Sequence, residues 1–499
     1  ISSEKIFKIL GKAYYELSIL LQYEGQYEEA MRVARKGVEK YFHFLPLYKL
    51  MAKLCFEEGM NDKAVENINN YINKVKNDPE AYVLMGDIYT VLQNINQSLS
   101  SYNKAIELAP DALLPMYKIA HVYCDTGDYK KAEEYLIKVI ELEPNLAAPY
   151  DSLGTMYTRM GNYNKAITHY EKAIELEPHI PTLHYNLAIS YCATGEYEKA
   201  IASNEKAIKL NPDNGAFYYN LGIAYSKAQK NEKALECYQK ALALEPNLLQ
   251  AIYSTGSIYA TLKKYNEAIK YFSDAIRLAP DFVSPYYGIA TTYAKKRDYD
   301  KAIEYFNKAL QLDQNDPLIY HSIGSVYIEK GDFQNGLQSF QKAIELDPKN
   351  ALFHFTMGNL YSGTGEYEKA KDCYQKAIDC DPNFAPSHYA LGGIYSNLQE
   401  YDKSLECYDT AIELDAKLAS FYQDLVIPLD DEEKQDKVST PSIKEKIIPE
   451  TQLKEKEVKI SLPEKVIAPH PIIEELSSTV QTYKLPKNLE ALLSKKYEK

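Results

Sequence analysis

The sequence predicts an all-α chain, an array of helix pairs stacked in series. Three observations carry this. The hexapeptide GEYEKA stands at Gly195–Ala200 and again at Gly365–Ala370, 170 residues apart, which is five periods of 34. Prolines keep the same interval from Pro110 through Pro144, Pro178, Pro212 and Pro246 to Pro280, and again at Pro348 and Pro382. Within each period, apolar and small residues recur at helical spacing.

Twelve units fit without insertion or deletion, from Gly11 to Leu418, with residues 1–10 extending the first helix. Ala147–Ile180 shows the logic of one unit. Tyr150, Leu153, Gly154 and Tyr157 lie at i, i+3, i+4 and i+7, one face of a first helix. Gly161 supplies a residue that tolerates the turn. Ala166, Tyr170 and Ala173 make the matching face of a second helix, and Pro178 ends it. Neither helix can bury its face alone, so each unit depends on its neighbours.

The departures are as informative as the pattern. The first two units have Phe42 and Lys76 where the closing proline is expected, and the third has Ser98 where alanine is usual. Terminal units of a stack face solvent on one side and are expected to differ. Gln314 interrupts the proline ladder internally, and Gly336 replaces the second-helix alanine of the following unit. That stretch reads either as a change of local curvature or as a neutral substitution. After the array, residues 419–427 suit a capping helix. Residues 428–499 are rich in Lys, Glu and Pro and bury too little apolar surface to order, so a disordered tail is expected. Leu489, Leu492, Leu493 and Tyr497 suit a short docking helix or a fraying end.

Composition excludes several functions. The net charge of −13 lacks the basic footprint of a nucleic-acid binder. No apolar run approaches the roughly 18 residues of a membrane span. Seven dispersed cysteines without a CxxC pair suggest neither disulfides nor zinc and fit a reducing, cytoplasmic setting. Phosphate-loop, zinc-protease, dinucleotide and serine-hydrolase motifs are missing from the sequence. The expectation is therefore no catalytic residue, no metal and no cofactor. His184, His354 and His388 share the first-helix aromatic slot and read as packed imidazoles. The cysteines fall in shared repeat registers, as packing residues do.

The spacing of Tyr150, Leu153–Gly154, Tyr157, Ala166, Tyr170, Ala173 and Pro178 resembles the tetratricopeptide repeat signature, over more than four-fifths of the chain. The resemblance implies a right-handed superhelix of antiparallel helix pairs, whose first helices line a concave groove holding a peptide or a partner's helix. The position after the aromatic slot, which the resemblance points into that groove, holds Tyr117, Tyr185, Tyr219, Tyr253, Tyr287, His321, Phe355 and Tyr389. Such rings offer flat contact area of low entropy cost. The four-residue clamp that chaperone-binding members close on a C-terminal carboxylate is missing. Of the asparagine ladder of the O-linked N-acetylglucosamine transferases, only Asn186 and Asn220 are present. The reading is a non-catalytic scaffold that binds peptide or helical segments of other proteins in the concave groove. Two others stand beside it: the substrate-recruiting arm of an enzyme whose catalytic part is elsewhere, and self-association through the array ends.

Overall fold

The computed structural model describes residues 3–415. The expected capping helix over 419–427, the tail over 428–499 and the last residues of the twelfth unit lie outside the described residues. Among those described there are 24 α-helices and no strand. They fall into two compact units that divide between Ala228 and Gln229.

The first unit holds α1 (Ser3–Tyr23), α2 (Tyr27–Lys40), α3 (Pro46–Glu57), α4 (Asn61–Ile72), α5 (Pro79–Val91), α6 (Ile95–Leu108), α7 (Leu113–Asp125), α8 (Tyr129–Leu142), α9 (Ala147–Arg159), α10 (Tyr163–Leu176), α11 (Pro181–Ala193), α12 (Tyr197–Leu210) and α13 (Gly215–Lys227). The second holds α14 (Asn231–Leu244), α15 (Leu249–Thr261), α16 (Tyr265–Leu278), α17 (Val283–Lys295), α18 (Tyr299–Leu312), α19 (Pro317–Lys330), α20 (Phe333–Leu346), α21 (Ala351–Gly363), α22 (Tyr367–Cys380), α23 (Ala385–Asn397) and α24 (Tyr401–Leu414). Odd-numbered helices are the first helices of their repeats and even-numbered ones the second.

Why these segments are helices is visible at their ends. The turn glycines Gly161 and Gly195 sit at φ +73° and +82°, in the left-handed region, as the turn requires. Next comes a cap. Asn162 accepts from the Lys165 amide at 3.3 Å and Asp298 from the Lys301 amide at 3.4 Å, opening α10 and α18. The first two repeats are irregular, as expected: a loop over 41–45 joins α2 to α3, and α4 has 12 residues where most second helices have 14.

Within a repeat, the core is a ring laid on a glycine. A Cβ added to Gly154 would stand 2.6 Å from Tyr170 Cε1, and one on Gly358 would stand 2.6 Å from Tyr374 Cε1. Bare backbone on the first helix lets the second-helix ring lie flat, and Tyr170 is wholly buried there. Ala166, Ala173 and their equivalents are also wholly buried, which sets the close approach of the helices. Ser98, in the alanine register, is buried with its hydroxyl 2.6 Å from Thr90 Oγ1.

At Gln314 the 34-residue spacing continues and the turn is closed by other means. Asp316 caps α19, accepting from the Leu318 amide at 2.8 Å, with Pro317 in the first turn. Gly336 has a packing reason. A Cβ there would collide with the side chain of Ile328, which stands where the flanking repeats carry Ala294 and Ser362. Volume has moved from the second helix to the first. Gly336→Ala is accordingly expected to destabilise the tenth repeat and its neighbours by about 1–3 kcal/mol, and Ile328→Ala to relieve most of that penalty. Urea unfolding of both single variants and the double variant checks this; strictly additive shifts would contradict it.

Candidate functional site: the first-helix face

Within each unit, successive first helices touch one another. α7 packs on α9, α9 on α11 and α11 on α13; α15 packs on α17 and α21 on α23. Successive second helices approach less closely. The first helices thus make a continuous face in each unit, and the predicted residues lie on it.

The structure brings two expected features together as one. The aromatic row and the polar ladder meet between neighbouring first helices, where Tyr117, Tyr287 and His321 each reach the ladder residue 35 positions on. Tyr117 Oη lies 2.9 Å from Ser152 Oγ, Tyr287 Oη lies 2.9 Å from Ser322 Oγ, and His321 Nε2 lies 3.1 Å from Thr356 Oγ1. The rings are packed as well. Tyr185 sits on Phe217, Tyr253 on Phe272 and Phe282, His321 against Phe353, Phe355 between Tyr374 and Phe384, and Tyr389 beside Tyr408. Tyr117, Tyr185, Tyr253 and Phe355 are buried, whereas Tyr219, Tyr287, His321 and Tyr389 are half-buried. The row therefore stitches repeats together as well as lining the face.

Burial tunes the titratable members in one direction each. It pushes the Tyr185 hydroxyl up to about 12 and the His321 imidazole down to about 4, so both stay neutral near neutrality. Asn186 and Asn220 are both buried. Asn220 Nδ2 donates to Asn204 Oδ1 at 3.0 Å, and its own Oδ1 has no hydrogen-bond partner.

The row also holds a residue that aromatic spacing alone does not pick out. Asp151 occupies the same register between Tyr117 and Tyr185. It is buried on α9, and Asn186 hydrogen-bonds its carboxyl from α11, again 35 positions on. Burial lifts that carboxyl to about 7. The signal was its departure from the row's residue type.

The imidazoles expected to pack do more than fill space. His184, His354 and His388 each place Nε2 2.9–3.0 Å from the carbonyl oxygen of the proline six residues earlier, so that nitrogen carries the proton and donates. Tyr150 and Tyr286 donate to the equivalent proline carbonyls with their hydroxyls. The slot is a clasp between repeats. Burial pushes the Cys124 and Cys407 thiols up to about 11, away from thiolate chemistry. Among the described residues, no cluster of His, Cys, Asp or Glu could hold a metal ion, and no helix is long and apolar enough to cross a membrane.

Comparison with known proteins agrees with this architecture. Tetratricopeptide repeat models match residues 111–177, 157–204, 216–248, 283–316, 351–384 and 373–406, among other segments, and a further one matches 79–112 and 249–282. Human E3 SUMO-protein ligase RanBP2 is 30% identical over 105 residues, 19% of this chain and 3% of that protein. Human RanBP2-like and GRIP domain-containing protein 3 is 27% identical over 128 residues, 26% of this chain and 7% of the relative. The chain thus spans a small fraction of these relatives' length. Among solved structures, yeast Tom70 aligns with a TM-score of 0.44 at 18% identity, covering 77% of this chain and 97% of Tom70. The APC/C hetero-tetramer Cut9-Hcn1 aligns at 0.40 and 15% identity, covering 85% of this chain and 96% of that one. The repeat matches extend along the chain from residue 79 to residue 406, interrupted at 317–323, and on them the chain belongs to the tetratricopeptide repeat family.

Proposed function

We propose that the chain is a non-catalytic scaffold whose first-helix faces bind peptide or helical segments of other proteins within a multiprotein complex. The observation that carries the reading is the continuous first-helix face, where half-buried rings lie beside buried polar atoms that still lack a partner, Asn220 Oδ1 among them. Aromatic rings next to unsatisfied acceptors suit a segment that brings apolar side chains and N–H donors together. Thiols held protonated by burial, with all seven cysteines free, favour a reducing compartment and hence the cytoplasm.

Photocrosslinking distinguishes the faces. A benzoylphenylalanine at Tyr219, on α13, is expected to capture partners in cells. The same group at the exposed Lys206, on the second helix α12, is expected to capture few or none. Equal capture from both positions would count against the assignment.

A further inference from the structure

One carboxylate interrupts the aromatic row. Asp151 is 6% exposed, and its Oδ1 meets no hydrogen-bond donor. Asn186 engages the carboxyl from α11 but carries no charge with which to neutralise it. Tyr170 on α10 feels its charge, and on α7 the His121 imidazole lies beyond Ser152, 3.3 Å from the serine hydroxyl. Neither supplies a positive charge at neutral pH: Tyr170 is a neutral phenol, held so by burial, and burial lowers the His121 imidazole to about 4. An unpaired buried carboxylate is costly, and the row's other members show that Tyr, His or Phe fills this register. Packing alone gives no reason to keep an acid here.

We propose that Asp151 is a recognition site for a cationic side chain, the ammonium of a lysine or the guanidinium of an arginine, in a partner segment lying across α7, α9 and α11. The cation supplies both things that the position lacks, a donor for Oδ1 and a neutralising charge. Tyr117 and Tyr185 hold the same register on the neighbouring helices α7 and α11, so the position is bordered by aromatic residues on both sides. The net charge of −13 adds long-range attraction for a basic segment. When the cation docks, the carboxyl gives up its proton to solvent, so binding strengthens as pH rises through neutrality. This inference rests on the first-helix face being the partner-binding surface.

The test is selection of random displayed peptides on the full chain, on Asp151→Asn and on Asp151→Tyr. The asparagine keeps size and shape, and hydrogen exchange over α9 verifies that the fold is kept. On the unaltered chain, the enriched peptides are expected to share one fixed lysine or arginine. Those peptides should bind Asp151→Asn at least about tenfold more weakly, and Asp151→Tyr should select peptides with no basic preference. Enriched peptides lacking a shared basic residue would overturn this inference while leaving the scaffold reading intact. No enrichment on any of the three chains would overturn both. A finding that the chain's own lysine-rich end, Lys495–Lys499, fills the position would also overturn the assignment to a partner.

Discussion

Tyr170→Ala is expected to lower the stability of the repeats around it by about 3–5 kcal/mol, near the top of the range for single substitutions. The ring is wholly buried against the bare backbone of Gly154, and its hydroxyl lies 3.2 Å from Thr155 Oγ1 and 3.4 Å from Thr158 Oγ1. Alanine would leave a ring-sized void and take one hydrogen-bond partner from each of the Thr155 and Thr158 hydroxyls. Gly154→Ala attacks the same contact from the other side, since the new Cβ would stand 2.6 Å from the ring. About 1–3 kcal/mol is expected for that overpacking. Once the ring is gone the added methyl meets no obstacle, so the double variant should lose less than the sum of the two. Because repeat arrays unfold in parts, the measurement is amide hydrogen exchange across α9 and α10. Exchange rates there that match the unaltered chain in Tyr170→Ala would contradict the packing account.

The second large effect is a dependence on pH carried by Asp151. Its carboxyl sits at about 7 when folded and near 3.9 in an unfolded chain. Between those values the folded state holds a proton that the unfolded state has lost. Stability therefore falls as pH rises from about 4 to about 7, by as much as about 4 kcal/mol. His121 on α7 works in the opposite sense. Burial holds its imidazole near 4, so the unfolded state binds the extra proton and stability rises between about 4 and 6.5. The two partly cancel in the unaltered chain. Asp151→Asn removes the falling slope, so α7 to α11 should be more protected than in the unaltered chain at pH 7.5 and little changed at pH 4. Hydrogen exchange at the two pH values, corrected for intrinsic rates, reads this directly. An equal gain at both would contradict it.

Much of the fold was legible because one period governs it. The 34-residue clock placed every helix pair, Gly161 marked its turn, and Tyr170 announced its place in the core. The finer packing was not legible, because it depends on pairs of residues in different helices. Gly336 is explained only by Ile328 across the repeat, and the half-turn at Gln314 is closed by the Asp316 cap. The site was legible in register and not in environment. That Tyr117 or Tyr287 belongs to the row follows from spacing; that its hydroxyl is tied to a serine 35 residues on requires the next helix in place. Asp151 was not legible as part of the row because aromatic spacing marks only the ring-bearing positions of that register.

Partners are proposed to be held on the first-helix face. That is tested most directly by placing the photocrosslinking residue in turn at Tyr219 and Tyr389 on first helices and at Lys206 and Lys376 on second helices, in the full chain expressed in cells. The same partner proteins are expected to be captured from the first-helix positions, through short segments identified by mass spectrometry, and to be weak or missing from the others. Partners captured only from Lys206 and Lys376 would contradict it.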